Sequence, residues 1–307
     1  MGLIPAGVEN ATITVGNKKV ALTNLNKIFW PKLKLRKRDL IEYYAAISPI
    51  LLPHLRDRAI VMKRYPNGIE GEFFFMKRTP AVRPEWIKTC AIHHGHSIID
   101  FPLAADLPSL LWLINLGCID LNQWYGTCTT PDQPDYLHFD LDPEDAPFSV
   151  VREAALILND ALTQMGMTVY PKTSGGRGMH LYIAIKHGPE QHEVWSVAKA
   201  IAHELARAHR DVLTAEYKKA KRPRGRIHVD YNQNRGGATL ASIYSVRPNE
   251  FAGVSMPVTW DEVARGIELQ DFTIFNAVAR VKKTGDLWKP LTQQRGRFDL
   301  GPLIEQS

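Results

Sequence analysis

The sequence predicts an α/β protein of the α+β kind, with two mixed or antiparallel sheets flanked by helices around a central cleft. Three observations lead there. Apolar residues recur at helical spacing in 148–165 and 190–210. Short alternating or β-branched runs lie between the helical stretches, and glycine, proline or asparagine marks most boundaries. With 45% hydrophobic and 23% charged residues in 307, the composition is that of a soluble globular protein.

The elements follow in order. Residues 12–15 and 20–22 read as a hairpin around Gly16-Asn17. A basic run, 27–38, precedes a helix that Asp39 would cap and Pro49 or Pro53 would end, with Leu40, Ile41, Tyr44 and Ile47 inward. Residues 59–64 and 72–77 make two strands about Pro66-Asn-Gly68, a turn-forming triplet. An apolar helix over 106–116 stops at Gly117. Strands 119–125 and 136–142 come next, then helix 148–165 with Val151, Ala154, Ala155, Leu158 and Leu162 on one face. Strand 179–185, helix 190–210 and strands 226–231 and 239–246 continue the chain. Thr259-Trp-Asp-Glu262 is a capping box opening a short helix, and 272–281 forms the last one. No repeat or linker divides the chain. Residues 1–307 therefore read as a single domain whose lobes, 1–130 and 131–307, share the cleft.

The formal charge of +6 favours an anionic partner because the cations are clustered. Six fall in 27–38 with Phe29 and Trp30 interleaved, and six more in 218–226, with no acid in either run. Such runs suit phosphate backbones. A membrane is disfavoured, since no stretch approaches ~18 consecutive apolar residues. Cys90, Cys118 and Cys128 lack Cys-x-x-Cys spacing, which speaks against a zinc module or a disulfide framework, and the N-terminus lacks an apolar signal segment. A cytoplasmic location follows as the expectation.

The chemistry-bearing signal is Phe139-Asp-Leu-Asp-Pro143 together with Asp230. Asp140 and Asp142 leave the same face of a strand, while Phe139 and Leu141 face the core. Two carboxylates that close repel, and a divalent cation relieves the repulsion. Oxygen ligands suit magnesium or manganese. Phosphate chemistry is the consequence. Ser174-Gly-Gly-Arg-Gly-Met-His180 is a glycine-rich turn opening a strand. Its glycines, Gly175 among them, permit close approach of amides to an anion, and Ser174, Arg177 and His180 can donate to phosphate oxygens. It matches neither a P-loop nor a dinucleotide fingerprint. Of Phe73, Phe74 and Phe75, one is expected in the core and an outward one stacks on a base, with Lys63, Arg64 and Lys77 near enough to take phosphates. Arg247 is a further phosphate candidate.

In order and number, these motifs resemble the polymerase domain of bacterial ligase D and its stand-alone relatives in the archaeo-eukaryotic primase superfamily. The resemblance runs from Leu22-Thr-Asn-Leu-Asn-Lys27 through Lys63-Arg-Tyr-Pro-Asn-Gly68, Phe74-Phe-Met-Lys77 and the two motifs above to Val229-Asp-Tyr-Asn-Gln-Asn234 and Tyr244-Ser-Val-Arg247. It implies a primase-polymerase catalytic core that adds nucleotides, preferably ribonucleotides, to a primer 3′-hydroxyl at short gaps or broken ends. Asp140, Asp142 and Asp230 would hold two manganese or magnesium ions. Ser174, His180 and Arg247 would hold the triphosphate, and Phe74 and Phe75 would contact base and template. Arg64 would lie in a loop arranging template or primer, while Asn24, Lys27 and Lys37 would grip a 5′-phosphate. The implied partners are gapped or broken DNA, NTP or dNTP, and a ligase and an end-binding protein in trans. The implied state is a nucleoid-associated monomer.

Two positions depart from the family pattern: Arg177 stands where lysine is common, and Asn122 where many relatives carry histidine. A haloacid dehalogenase-like phosphatase also opens on Phe-Asp-Leu-Asp, but Glu144 replaces its threonine and Gly285-Asp-Leu-Trp-Lys-Pro290 breaks its later acid motif. A DNA-end-binding module without catalysis is the alternative from another class.

Overall fold

The computed structural model describes residues 2–305, which form two compact units. The first gathers residues through Thr129, Ala241–Val254 and Thr273–Gly285; the second gathers Thr130–Leu240, Ser255–Phe272 and residues from Asp286 onward. The architecture is mixed α/β, with one five-stranded sheet, one four-stranded sheet and three two-stranded hairpins among the described residues.

The first unit opens on the hairpin β1 (Ala11–Val15) and β2 (Lys18–Leu22), turned at Gly16 with φ of 62°. The basic run then folds as β3 (Ile28–Trp30) and β4 (Leu35–Arg36) and enters α1 (Lys37–Leu55). This helix starts ahead of the predicted cap, and Asp39 accepts the Arg36 amide at 2.7 Å from inside the first turn. It also continues through Pro49 and Pro53. Pro49 has no N–H for the Ala45 carbonyl, and the Ser48 hydroxyl donates there instead at 2.8 Å.

Strands β5 (Ile60–Arg64) and β6 (Phe74–Met76) pair antiparallel as predicted. An unpredicted hairpin, β7 (Thr89–His94) and β8 (Ser97–Pro102), follows, then α2 (Leu107–Asn115), capped by Asp106, and β9 (Cys118–Gln123). The four-stranded sheet runs in the order Leu240–Ala241, β9, β5, β6. Residues 239–246 are thus not one long strand: the strand ends at Ala241, Val246 forms an isolated bridge with Val254, and Tyr244 takes a positive φ of 60° that extended backbone does not allow. Cys90 and Cys128 form a disulfide with Cα atoms 5.8 Å apart, against the expectation from sequence. The chain between these cysteines, 38 positions apart, folds back so that Cys90, Phe101 and Trp124 share one buried cluster, with Cys128 packed against it.

The second unit is built on β10 (Tyr136–Glu144), followed by α3 (Phe148–Gln164), β11 (Val169–Thr173), β12 (Met179–Ala184), α4 (Gln191–Ala208), β13 (Leu213–Thr214) and β14 (Arg226–Asp230). The sheet order is β11-β12-β10-β14-β13, antiparallel except for β13 beside β14. Leu137, Phe139 and Leu141 of β10 are fully buried, as are Val151, Ala154, Ala155, Leu158 and Leu162 of α3. This apolar face fixes the register and turns the alternate, acidic residues of β10 away from it. β10 runs two residues beyond Asp142, because Pro143 and Glu144 still pair with Ile227 and Arg226. Among the described residues no helix is long and apolar enough to cross a membrane.

In the first unit, the Tyr44 hydroxyl is buried between two backbone groups, donating to the Ile119 carbonyl at 2.8 Å and accepting the Val246 amide at 3.0 Å. Tyr44→Phe leaves both groups without that partner and is expected to cost about 1–3 kcal/mol. A urea midpoint lowered at constant m-value is the expected readout, and an unchanged midpoint would contradict it.

Candidate active site

The antiparallel register sets Asp140 directly opposite Asp230. Asp142 is two residues along the same face, and one carboxylate oxygen from each of the three lies within 4.8 Å of the others. Burial, and next the charge of Asp230, push the Asp142 carboxyl above the ordinary carboxylate range, while Arg177 and Arg222 pull it down. Asp230 is held in place by the Asn232 amide at 2.8 Å and the Gln233 side chain at 3.1 Å. Arg222 is fixed in turn by Glu144 at 2.7 Å. The three acids therefore form a compact, mutually repelling set of hard oxygen donors.

The glycine-rich turn lies against this set. A Cβ on Gly178 would stand 2.0 Å from the Leu141 carbonyl oxygen, so only glycine lets the turn pass β10 this closely. The Ser174 hydroxyl oxygen accepts the amides of Gly176 and Gly178 at 3.1 and 3.0 Å. Those two amides are used inside the turn, and the Ser174 hydroxyl proton remains to donate outward. Arg177 is exposed, and its charge reaches Asp142.

Sequence reasoning missed Lys172, which is fully buried. Its ammonium lies 2.7 Å from His180 Nδ1 and also bonds the Ser255 hydroxyl, which donates on to the Thr173 carbonyl. His180 Nε2 is 3.3 Å from Asp140 Oδ1. An ammonium has no acceptor, so Lys172 donates to Nδ1 and places the imidazole proton on Nε2, facing the acids. The available signal was a lysine in Val-Tyr-Pro-Lys-Thr, but β11 was not predicted, and only the pairing of Lys172 with His180 across β11 and β12 brings them together.

The first unit collects a second set. Lys63 lies 4.0 Å from the Phe73 ring centroid and 5.7 Å from that of Phe75, and Arg64 lies 5.1 Å from Phe74. All three phenylalanines are exposed, at 50, 46 and 59%, so the expectation that one is core fails. β6 is a three-residue edge strand, too short to carry an apolar layer. Arg64 is not in a loop: it ends β5, and its Nε donates to the Leu116 carbonyl at 2.6 Å.

Asp120, also missed, is 2% exposed and stands 3.5 Å from Arg247. Asn122 donates to its carbonyl and its carboxylate. Burial lowers the Lys63 pKa, Asp120 raises it and Arg247 lowers it. Asp120 and Asn122 alternate in Ile-Asp-Leu-Asn-Gln, a strand in which every residue proves buried. That polar alternation was legible, but burial of both faces was not.

Asn24, Lys27 and Lys37 are also drawn together. The Lys27 amide donates to the Asn24 carbonyl, the Lys37 amide to the Lys27 carbonyl, and the Lys37 ammonium to the Thr23 carbonyl at 2.7 Å. Burial first, then the charges of Lys27 and Arg64, lower the Lys37 pKa to about 8.

Comparison with known proteins bears on this arrangement. The family model described as LigD, primase-polymerase domain, matches residues 36–288. The multifunctional non-homologous end joining protein LigD of Mycolicibacterium smegmatis is 29% identical over 89% of this chain and 36% of its own length. The bifunctional non-homologous end joining protein LigD of Bacillus subtilis is 33% identical over 87% of this chain and 43% of its own. The chain thus spans less than half the length of these curated relatives. A solved structure, the polymerase domain from Mycobacterium tuberculosis ligase D in complex with DNA, is 26% identical with a TM-score of 0.83, covering 89% of this chain and 98% of that one.

Lys172→Met removes the donor that holds His180 in its tautomer. Nitrogen-15 imidazole spectra are expected to show His180 protonated at Nε2 in the wild type and a mixture of tautomers in the variant. A wild-type proton on Nδ1 would contradict the hydrogen-bond direction.

Proposed function

Because the chain belongs to the LigD primase-polymerase domain family, we propose that it is a template-directed nucleotidyl transferase of DNA repair, extending a primer 3′-hydroxyl at short gaps or broken ends that carry a 5′-phosphate. The observation that carries this reading is the convergence of Asp140, Asp142 and Asp230 beside the glycine-rich turn. In it, residues 1–307 act as one catalytic domain, and ribonucleotides are the preferred substrates. A ligase and an end-binding protein are the partners, at the nucleoid in the cytoplasm.

The acid set fits two hard divalent cations, manganese or magnesium, since burial and next the charge of Asp230 raise the Asp142 pKa, and cationic charge beside the carboxylates opposes both. When bound, the cations would lower the pKa of the primer hydroxyl and neutralise the triphosphate and the departing pyrophosphate. The chain's own groups do the holding. His180 presents its Nε2 proton, Ser174 its hydroxyl and Arg177 its guanidinium as donors to phosphate oxygens. In the first unit, Lys63 and Arg247 offer cations to the nucleotide, Phe74 and Phe75 offer exposed rings to bases, and Arg64 arranges template or primer. The Asn24, Lys27 and Lys37 cluster takes the 5′-phosphate, whose charge offsets the mutual repulsion of its lysines.

Labelled NTP and dNTP, offered with manganese on a gapped 5′-phosphorylated duplex, are expected to be incorporated with NTP favoured. Asp140→Ala is expected to bind the duplex and not extend it. Binding without extension by the wild type would instead indicate an end-binding module.

The Lys37 pKa fixes a pH dependence. Only the protonated ammonium attracts phosphate, so the affinity advantage of a 5′-phosphorylated over an unphosphorylated end is expected to fall as pH rises through about 8. Titrations at pH 7 and 9.5 measure it. Lys37→Arg is expected to flatten the profile, and a flat wild-type profile would remove Lys37 from this role.

A further inference from the structure

Within the basic run 218–226 Arg222 faces the acid set, but Lys218, Lys219 and Lys221 and the aromatic residues around them have no part in the chemistry above. The run is anchored at Arg222, which bonds Glu144 at 2.7 Å and the Glu216 carbonyl at 2.9 Å, and Arg224 stands 3.5 Å from Asp145. Lys218, Lys219 and Lys221 are exposed and form no ion pair among the described residues. Tyr217, immediately before them, is 60% exposed.

Beside it the Arg235 guanidinium lies 5.7 Å from the Tyr217 ring centroid and 5.1 Å from that of Trp195, over which Lys199 also sits at 5.1 Å. One guanidinium therefore lies within cation–π distance of two rings, and an ammonium lies near one of them. The Trp195 indole donates to Asn232 Oδ1 at 3.3 Å, and the Asn232 amide donates to Asp230. One residue thus ties this surface to the acid set.

The exposed part of the Tyr217 ring keeps its hydration cost, and Lys218, Lys219 and Lys221 repel one another with no ion pair among the described residues. A polymer carrying both phosphates and planar apolar faces relieves both. We propose that Trp195, Tyr217 and Arg235, with Lys199, Lys218, Lys219 and Lys221, form a stacking platform for single-stranded polynucleotide, distinct from the acids that would carry the chemistry. A duplex hides its base faces, and an acidic peptide supplies charge with few planar groups. A cavity of about 420 Å³ opens beside Trp195 and Arg235, lined also by Asp132, Glu190, Gln191 and His192. Its carboxylates repel phosphate and accept from base N–H groups, thymine N3–H included, so a base enters it and the backbone runs along the lysines. The identity of the polymer rests on the polymerase reading.

The test is fluorescence anisotropy of a labelled single-stranded oligo(dT) with the full chain at several salt concentrations. Tyr217→Ala and Trp195→Ala are each expected to weaken binding about fivefold or more, with the salt dependence kept and Tyr217→Phe close to wild type. Replacing Lys218, Lys219 and Lys221 with glutamine is expected to reduce the slope of log affinity against log salt by about 2. The Tyr217 side chain donates no hydrogen bond among the described residues, so its variants test the platform without disturbing the fold.

Unchanged affinity in Tyr217→Ala overturns the proposal. So does displacement of the oligonucleotide by polyglutamate to the same extent from wild type and Tyr217→Ala, which would assign the surface to charge alone. If oligo(dT) binding depends on Tyr217 yet no nucleotide is ever incorporated, the platform stands and the polymerase reading falls. Incorporation with binding indifferent to Tyr217 does the reverse.

Discussion

The pairing of β10 with β14 governs the rest of the second unit, because it sets two carboxylates, Asp140 and Asp230, directly across from one another. Like charges so placed destabilise a sheet. The register survives because sliding either strand by one residue would turn Phe139, Leu141 and Val229 to the acidic side and bury the acids under α3. Apolar burial on one face therefore holds an unfavourable charge arrangement on the other. Burial, and next the charge of Asp230, raise the Asp142 pKa beside that pair.

The surroundings of the acids moderate it by charge and by hydrogen bonding. Arg177 and Arg222 supply positive charge from the glycine-rich turn and from the middle of the basic run. Lys172 reaches Asp140 through the imidazole of His180, a path closed by pairing across β11, β12 and β10. Gly178 permits the turn to lie against Leu141, and Ser174 braces it with two amide contacts. The acids and His180 are thus positioned by sheet geometry, and Ser174 and Arg177 by the turn packed against it.

The first unit handles its charges differently. Lys27, Lys37 and Arg64 are gathered with little acidic compensation, while Lys63 and Arg247 share the buried Asp120. The aromatic residues of β6 stay exposed because a three-residue edge strand offers nothing to cover them. Cationic groups near aromatic rings recur in both units, around Phe73 to Phe75 and around Trp195 and Tyr217.

Local pattern was enough for much of this. The alternation in Phe139-Asp-Leu-Asp puts two acids on one face wherever the strand lies, the spacing in α3 and α4 marks their buried sides, and the glycines of 175–178 demand a turn. These follow from backbone periodicity, which each segment carries alone. What needed the folded chain were properties set by partners: the convergence of Asp230, the burial of Lys172 and Asp120, the Cys90–Cys128 bond, the passage of α1 through two prolines and the exposure of all three phenylalanines. Each depends on which strand or side chain arrives from elsewhere to cover, pair with or leave open a residue, and burial and electrostatics are fixed only by that arrival.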